Sequence, residues 1–189
     1  MSITNCYLMN KILKKINHHR FRFRFKKTAD IIGQVIGGKK KISIIDIGAG
    51  NRYLKTLLNF DGTSEIAMVD PNKNLDWSVK NLQNNLKYPE NVKGFRCGIG
   101  NATGKKKFFL AATSTGSTIV NIYKNKKKIN QSYFGPKNTI TTNVFSFKDF
   151  VMKYKLKNPD IVKIDVEGFE LKIIESLLKN FRPVLIEIE

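Results

Sequence analysis

The period of the apolar positions changes several times along this chain, and each change marks an element. Near the amino terminus, "YLMNKILKKI" places Leu8, Ile12, Leu13 and Ile16 at helical spacing. In "HHRFRFRFKK", Phe21, Phe23 and Phe25 alternate with Arg20, Arg22 and Arg24, which reads either as a basic edge strand or as a helix start of poor periodicity. From Lys41 the pattern becomes regular. "KISIIDIGAG" is a β-branched run that closes on glycines, and "RYLKTLLNF" aligns Tyr53, Leu54, Leu57 and Leu58 on one helical face. "EIAMVDPN" predicts a second strand, "LDWSVKNLQNNL" a helix on Leu75, Val79, Leu82 and Leu86, and "NVKGFRCGIG" a third strand. Strands alternating with helices imply right-handed crossovers. The expected fold is therefore α/β: a Rossmann-like, doubly wound, mostly parallel sheet with helices on both faces.

The middle of the chain interrupts this rhythm. "GKKKFFLAAT" and "NTITTNVFSF" read as strands separated by the polar stretch 114–138, which predicts an inserted antiparallel hairpin at a sheet edge with a mobile loop. "SFKDFVMKY" predicts a short helix. "DIVKIDVEG" resumes the parallel sheet, and "ELKIIESLLKNF" is a helix with Leu171, Ile174, Leu177, Leu178 and Phe181 in one stripe. "RPVLIEIE" starts a last strand. Trp77 and Phe169 are expected to be packing residues.

Composition adds limits. With 41% hydrophobic and 26% charged residues in 189, the chain has the balance of one globular domain. No apolar run is long enough to span a bilayer or framed as a secretory signal, and two cysteines are too few for a disulfide framework or a zinc site. A reduced, cytoplasmic setting is the expectation. The net charge is +19, and residues 1–41 carry eleven Lys or Arg against the single acid Asp30. Two readings stand side by side: a compositional bias toward Lys, or an anionic partner such as nucleic acid or a lipid surface engaged by the basic amino terminus. The expected organisation is a basic, helical extension over 1–40 and a catalytic-type domain over 41–189.

Candidate chemistry begins at "DIGAGN", residues 46–51. Gly48 and Gly50 permit backbone angles closed to other residues and let a ligand lie against the main chain. Asp70 ends the next strand, twenty residues after Gly50, where an acid suits the vicinal hydroxyls of a ribose. A dinucleotide turn carries a third glycine, and here Tyr53 and its neighbours fill that region. Asp46 adds a negative charge that could approach an ammonium group. Together these features favour S-adenosyl-L-methionine as cofactor.

At this point a resemblance becomes specific. "IIDIGAG", "MVDPN" and "GIGNATGKKKFFL" look, in order, like the cofactor motifs of class I methyltransferases, and "DIVKIDVEGFELKIIE" with "PVLIEIE" is similar to the hallmark of the FkbM family. The resemblance covers about residues 41–189. It implies methylation of oxygen on small hydroxylated compounds, often sugars or glycan-type substrates. It implies a cofactor set of Asp46, Gly48, Ala49, Gly50, Asn51, Asp70, Pro71, Ile99 and Asn101, with Ile99 on the adenine ring and Asn101 near it. Ser117 and Thr118 fall where the family's substrate-side loop begins. The sequence departs from the family in "NRYL" after the glycine turn, in Asp70-Pro71 where Glu-Pro is frequent, and in ending where closing antiparallel strands are expected.

The charges of "DIVKIDVEG" complete the candidate site. A period of two puts Lys163 and Asp165 on one face, with Glu167 next if the chain stays extended. Asp165, Glu167 or Lys163 could take the proton of a substrate hydroxyl. Alternatively, Asp165 with Glu187 or Glu189 could hold a divalent ion that acidifies the hydroxyl. Two structural roles compete with these: an internal ion pair of Lys163 with Asp165 or Glu167, and Glu167 or Glu170 facing the dipole of the following helix. Two other functional readings use the charge: a nucleic-acid or anionic-membrane binding protein on a methyltransferase scaffold, and an RNA methyltransferase.

Overall fold

The computed structural model describes residues 41–49, 65–109, 139–166 and 168–188. The expected helices at 7–16 and 52–60, the Phe–Arg alternation, the polar stretch 114–138 with Ser117 and Thr118, and Gly50, Asn51, Glu167 and Glu189 lie outside the described residues. The amino-terminal extension is therefore an expectation only.

Among the described residues five strands form one parallel sheet: β1 (Ser43–Ile47), β2 (Glu65–Val69), β3 (Val92–Phe95), β7 (Ile161–Ile164) and β8 (Leu185–Ile188). Their order is β3-β2-β1-β7-β8, every pair parallel. Among the described residues three α-helices accompany it: α1 (Leu75–Gln83), α2 (Phe147–Lys153) and α3 (Glu170–Leu178). The fold is α/β and Rossmann-like, as the alternation of periods demanded.

The pleat divides the core in two. Ile45 and Ile47, Ala67 and Val69, and Val162 and Ile164 point to one face, where Phe147 and Phe150 of α2 and Ile173, Ile174 and Leu177 of α3 cover them. Ile44, Ile66, Met68 and Ile161 point to the other, beneath Leu75 and Leu82 of α1. Each fully buried side chain of this size contributes ~1.5–3 kcal/mol relative to exposure. The stripe on α1 excludes Trp77, which sits ~200° around the helix from Leu75 at 100° per residue. Trp77 is accordingly 59% exposed, which corrects its assignment as a packing residue. Phe169 does pack against the core.

Two further corrections concern the middle of the chain. "NVKGFRCGIG" is two strands, because the Cys97 N–H donates to the Phe95 carbonyl (2.9 Å) and the chain turns there. The second piece, β4 (Gly98–Gly100), joins a separate sheet with β5 (Gly104–Phe109) and β6 (Thr139–Ser146), in the order β4-β6-β5. β5 and β6 are antiparallel as expected, but they extend this second sheet instead of the edge of the first. Cys97 and Ile99 tie the second sheet into the core under α2 and α3. Ser146 caps α2, its hydroxyl accepting the Asp149 N–H at 3.1 Å. No helix among the described residues is long and apolar enough to cross a membrane.

Candidate functional site

The strand order reverses direction between β1 and β7, and sheets of this kind take their ligands in the crevice outside the carboxyl ends of the strands on either side of such a reversal. Gly48, the first residue after β1, has φ +78°, and a Cβ there would stand 1.8 Å from the Asp165 carbonyl oxygen. Only glycine lets the turn after β1 lie against the end of β7. The contact is closed by the Asp165 N–H, which donates to the Ile47 carbonyl at 2.9 Å. Gly48 and Ala49 N–H groups both donate to the Val69 carbonyl (2.8 and 3.2 Å), which folds the same turn over the end of β2. The glycine thus has a structural reason of its own, beside any ligand.

Asp70 follows β2 at the rim. Its Oδ1 accepts the Asn72 N–H at 2.7 Å, and its own N–H reaches the Phe95 carbonyl at 3.3 Å. Burial pushes the Asp70 carboxyl up to about 6; the Asn72 hydrogen bond opposes this, the charges of Asp46 and Asp165 add to it, and Lys163 works against it. Asp70 therefore shares one electrostatic neighbourhood with the residues of β1 and β7.

The centre of that neighbourhood is Lys163. Parallel pairing sets Asp46 directly across from Lys163 on one side and Glu187 across from it on the other. Lys163 is 6% exposed and Asp46 1%, so both charges lie in the interior of the sheet face. The Lys163 ammonium is 3.6 Å from Asp46 Oδ1 and 3.6 Å from Asp165 Oδ2. Asp165, at 26% side-chain exposure, is the member of the group that opens to the crevice. Buried charges on adjacent strands are tolerated because each faces an opposite one.

The expected Lys163–Asp165 ion pair is thus present, and the sequence reading missed a second, more deeply buried carboxylate at the same distance, Asp46. Asp46, expected near a cofactor's ammonium group, has the Lys163 ammonium beside it. A signal existed in the sequence: "SIIDI" and "IVKI" each carry one charge, of opposite sign, one place before the strand ends. Reading it required knowing that β1 and β7 are neighbours. Glu170 stands in the first turn of α3, where an acid faces the helix dipole, and its Oε1 accepts the N–H of Gly168, just ahead of the helix, at 2.8 Å. Pro71 is half-buried beside Asp70. Ile99 lies in the core beneath α2 and α3, and Asn101 is exposed just beyond β4. Glu187 is placed opposite Lys163 by the register, not opposite Asp165. Among the described residues, no three His, Cys, Asp or Glu side chains are grouped to hold a metal ion. A separate cleft of about 60 Å³ at the amino-terminal ends of β1 and β2, lined by Ser43, Glu65 and Asn91, has room for water.

A family model for the methyltransferase FkbM domain matches residues 46–189. The chain belongs to the FkbM methyltransferase domain family. One solved structure, a methyltransferase FkbM from Methylobacillus flagellatus KT, is similar at 16% identity and a TM-score of 0.47. The similarity covers 74% of this chain and 30% of that one, so this chain spans less than a third of that protein's length. No curated protein matches the sequence. The FkbM match begins at Asp46 and takes in Gly48, Asp70, Lys163 and Asp165, all the described residues that meet at the switch point.

Proposed function

We propose that the chain is an S-adenosylmethionine-dependent methyltransferase that modifies a hydroxyl oxygen of a small, hydroxylated or sugar-type substrate. The observation that carries this reading is the sign of the charge at the switch point. In a protein of net charge +19, three carboxylates, Asp46, Asp70 and Asp165, gather around Lys163 among the described residues. A locally anionic crevice suits a cofactor with a sulfonium, an ammonium and a ribose, and the family match supports the same class. Asp70 would hold the ribose hydroxyls, and the Gly48–Ala49 turn would lie along the cofactor's tail.

Bound S-adenosylmethionine would supply a methyl group on a positively charged sulfur. The remaining work falls to the chain's own residues. Asp165 is the half-open carboxylate of the group and would accept the substrate's hydroxyl proton. Lys163, 3.6 Å from both Asp165 and Asp46, would keep Asp165 at the crevice through a buried counter-charge. The backbone bond from Asp165 N–H to Ile47 fixes the main chain at the same point.

Calorimetric titration of the full chain with S-adenosylmethionine tests the reading. Saturable binding is expected, weakened about 10- to 100-fold by Asp70→Asn, the loss of hydrogen bonds to a charged group worth ~1.5–3 kcal/mol. Asp165→Asn should leave binding largely intact and abolish methyl transfer across a panel of sugars. A folded protein that shows no affinity for the cofactor overturns the proposal.

A further inference from the structure

The exposed face of the second sheet points to a function separate from the crevice. β5 is the edge strand of that sheet among the described residues, and it carries Lys105, Lys106 and Lys107, all exposed. In register, Lys105 is opposite Asn143 and Lys107 opposite Thr141. Directly opposed residues share a face, as do residues two apart, so these four side chains form one patch, and each is exposed. The two lysines are ~6.8 Å apart along the strand. The acid that follows this sheet in sequence, Asp149, has its carboxylate engaged by the Thr103 hydroxyl.

The sequence around the patch is charged in one sense only. Between Glu90 and Asp149 lie 58 residues with eleven Lys or Arg and no Asp or Glu. The following 41 residues, 149–189, hold seven Lys or Arg against eight Asp or Glu. A uniform bias toward lysine would not clear the acids from one region and leave them in the next. Edge strands do use lysine to prevent pairing with other chains, but that purpose needs neither a run of three nor a long acid-free surround.

We propose that the Lys105, Lys107, Thr141 and Asn143 face binds the phosphodiester backbone of single-stranded RNA. Lysine neutralises phosphates, and Thr and Asn side chains hydrogen-bond to phosphate and sugar oxygens, contacts that hold a strand without reading its sequence. An anionic lipid surface is the weaker match, since none of the four side chains is apolar and able to enter an acyl layer.

The test is fluorescence anisotropy of the full chain with a fluorescein-labelled oligouridylate, repeated across salt concentrations. Binding with a steep salt dependence is expected. Each phosphate contact adds about −0.7 to the slope of log K against log salt, so Lys105→Gln with Lys107→Gln should reduce the slope by about 1.4. A control that removes two exposed lysines elsewhere, Lys80→Gln with Lys179→Gln, should leave it nearly unchanged. Thr141→Ala with Asn143→Ala, which alters no charge, should weaken binding a few-fold at constant slope. Equal losses in the face and control variants, absence of RNA binding, or binding lost to phosphatidylserine-containing vesicles but not to RNA would each overturn the proposal. Because none of these residues belongs to the crevice, methyl transfer and cofactor affinity should be unchanged, which separates this result from a failure at the switch point.

Discussion

At the carboxyl end of the five-stranded sheet, Lys163 and Asp46 lie almost wholly out of water and face each other at 3.6 Å, with Asp165 at the same distance on the crevice side. On the three-stranded sheet, Lys105 and Lys107 share one face and Lys106 takes the other, all three in solvent. Both regions are charged strand segments, yet they are held to different standards. In the first, low dielectric makes a charge tolerable only beside its opposite, so register decides which residues can be there. In the second, water and salt screen the lysines, and like charges can be neighbours at little cost. The contrast says where a substitution will damage the fold and where it will change only what the protein attracts.

The strongest way to break the contrast is to remove the central cation. Lys163→Met is expected to cost about 3–5 kcal/mol, the range for deleting one partner of a buried ion pair, measured by urea unfolding. Adding Asp46→Asn to Lys163→Met should restore part of that loss; a purely additive double variant would show that the two charges are not coupled. Gly48→Ala comes next. It places a side chain at φ +78° and against the Asp165 carbonyl, and a loss of at least ~2 kcal/mol is expected by the same measurement.

Asp70 sharpens the comparison through pH. Its carboxyl ionises near 3.8 when unfolded and at about 6 when folded, so the folded chain binds the extra proton between those values. The contribution of Asp70 to stability should therefore be greatest below pH 4, decline as pH rises toward 6, and level off above. In Asp70→Asn this decline should disappear, a relative gain of ~2–3 kcal/mol at pH 7 compared with pH 4, read from urea midpoints across pH. Affinity for S-adenosylmethionine should move the opposite way, rising as Asp70 ionises. The smallest effect belongs to the exposed sheet: Lys105→Gln with Lys107→Gln should leave the urea midpoint unchanged, and a clear shift would mean that these lysines support the fold.

The two regions also differ in how legible they were. The strands and helices of the larger sheet followed from period alone, because β-branched runs and helical stripes are local properties; α1 on Leu75 and Leu82 and α3 on Ile174 and Leu177 are examples. The break at Cys97 was not legible, since nothing in "NVKGFRCGIG" states that its two halves pair with different sheets. Asp70 could be placed by its spacing from the glycine turn, and Lys163 and Asp165 by their shared face. The partnership of Asp46 with Lys163 could not, because 117 residues separate them and only the adjacency of β1 and β7 brings them together.

Sequence by itself determined the α/β alternation, most of the residues in the core stripes of α1 and α3, the strand-end acids and the family to which the chain belongs, all of which depend on order along the chain. Tertiary structure decided what those charges do. It set Lys163 between Asp46 and Asp165 as a buried counter-ion, gave Gly48 a steric duty against Asp165, and turned the lysines of β5 outward beside Thr141 and Asn143. The physical reason is that the cost of a charge depends on its surroundings, and those are supplied by strands distant in sequence.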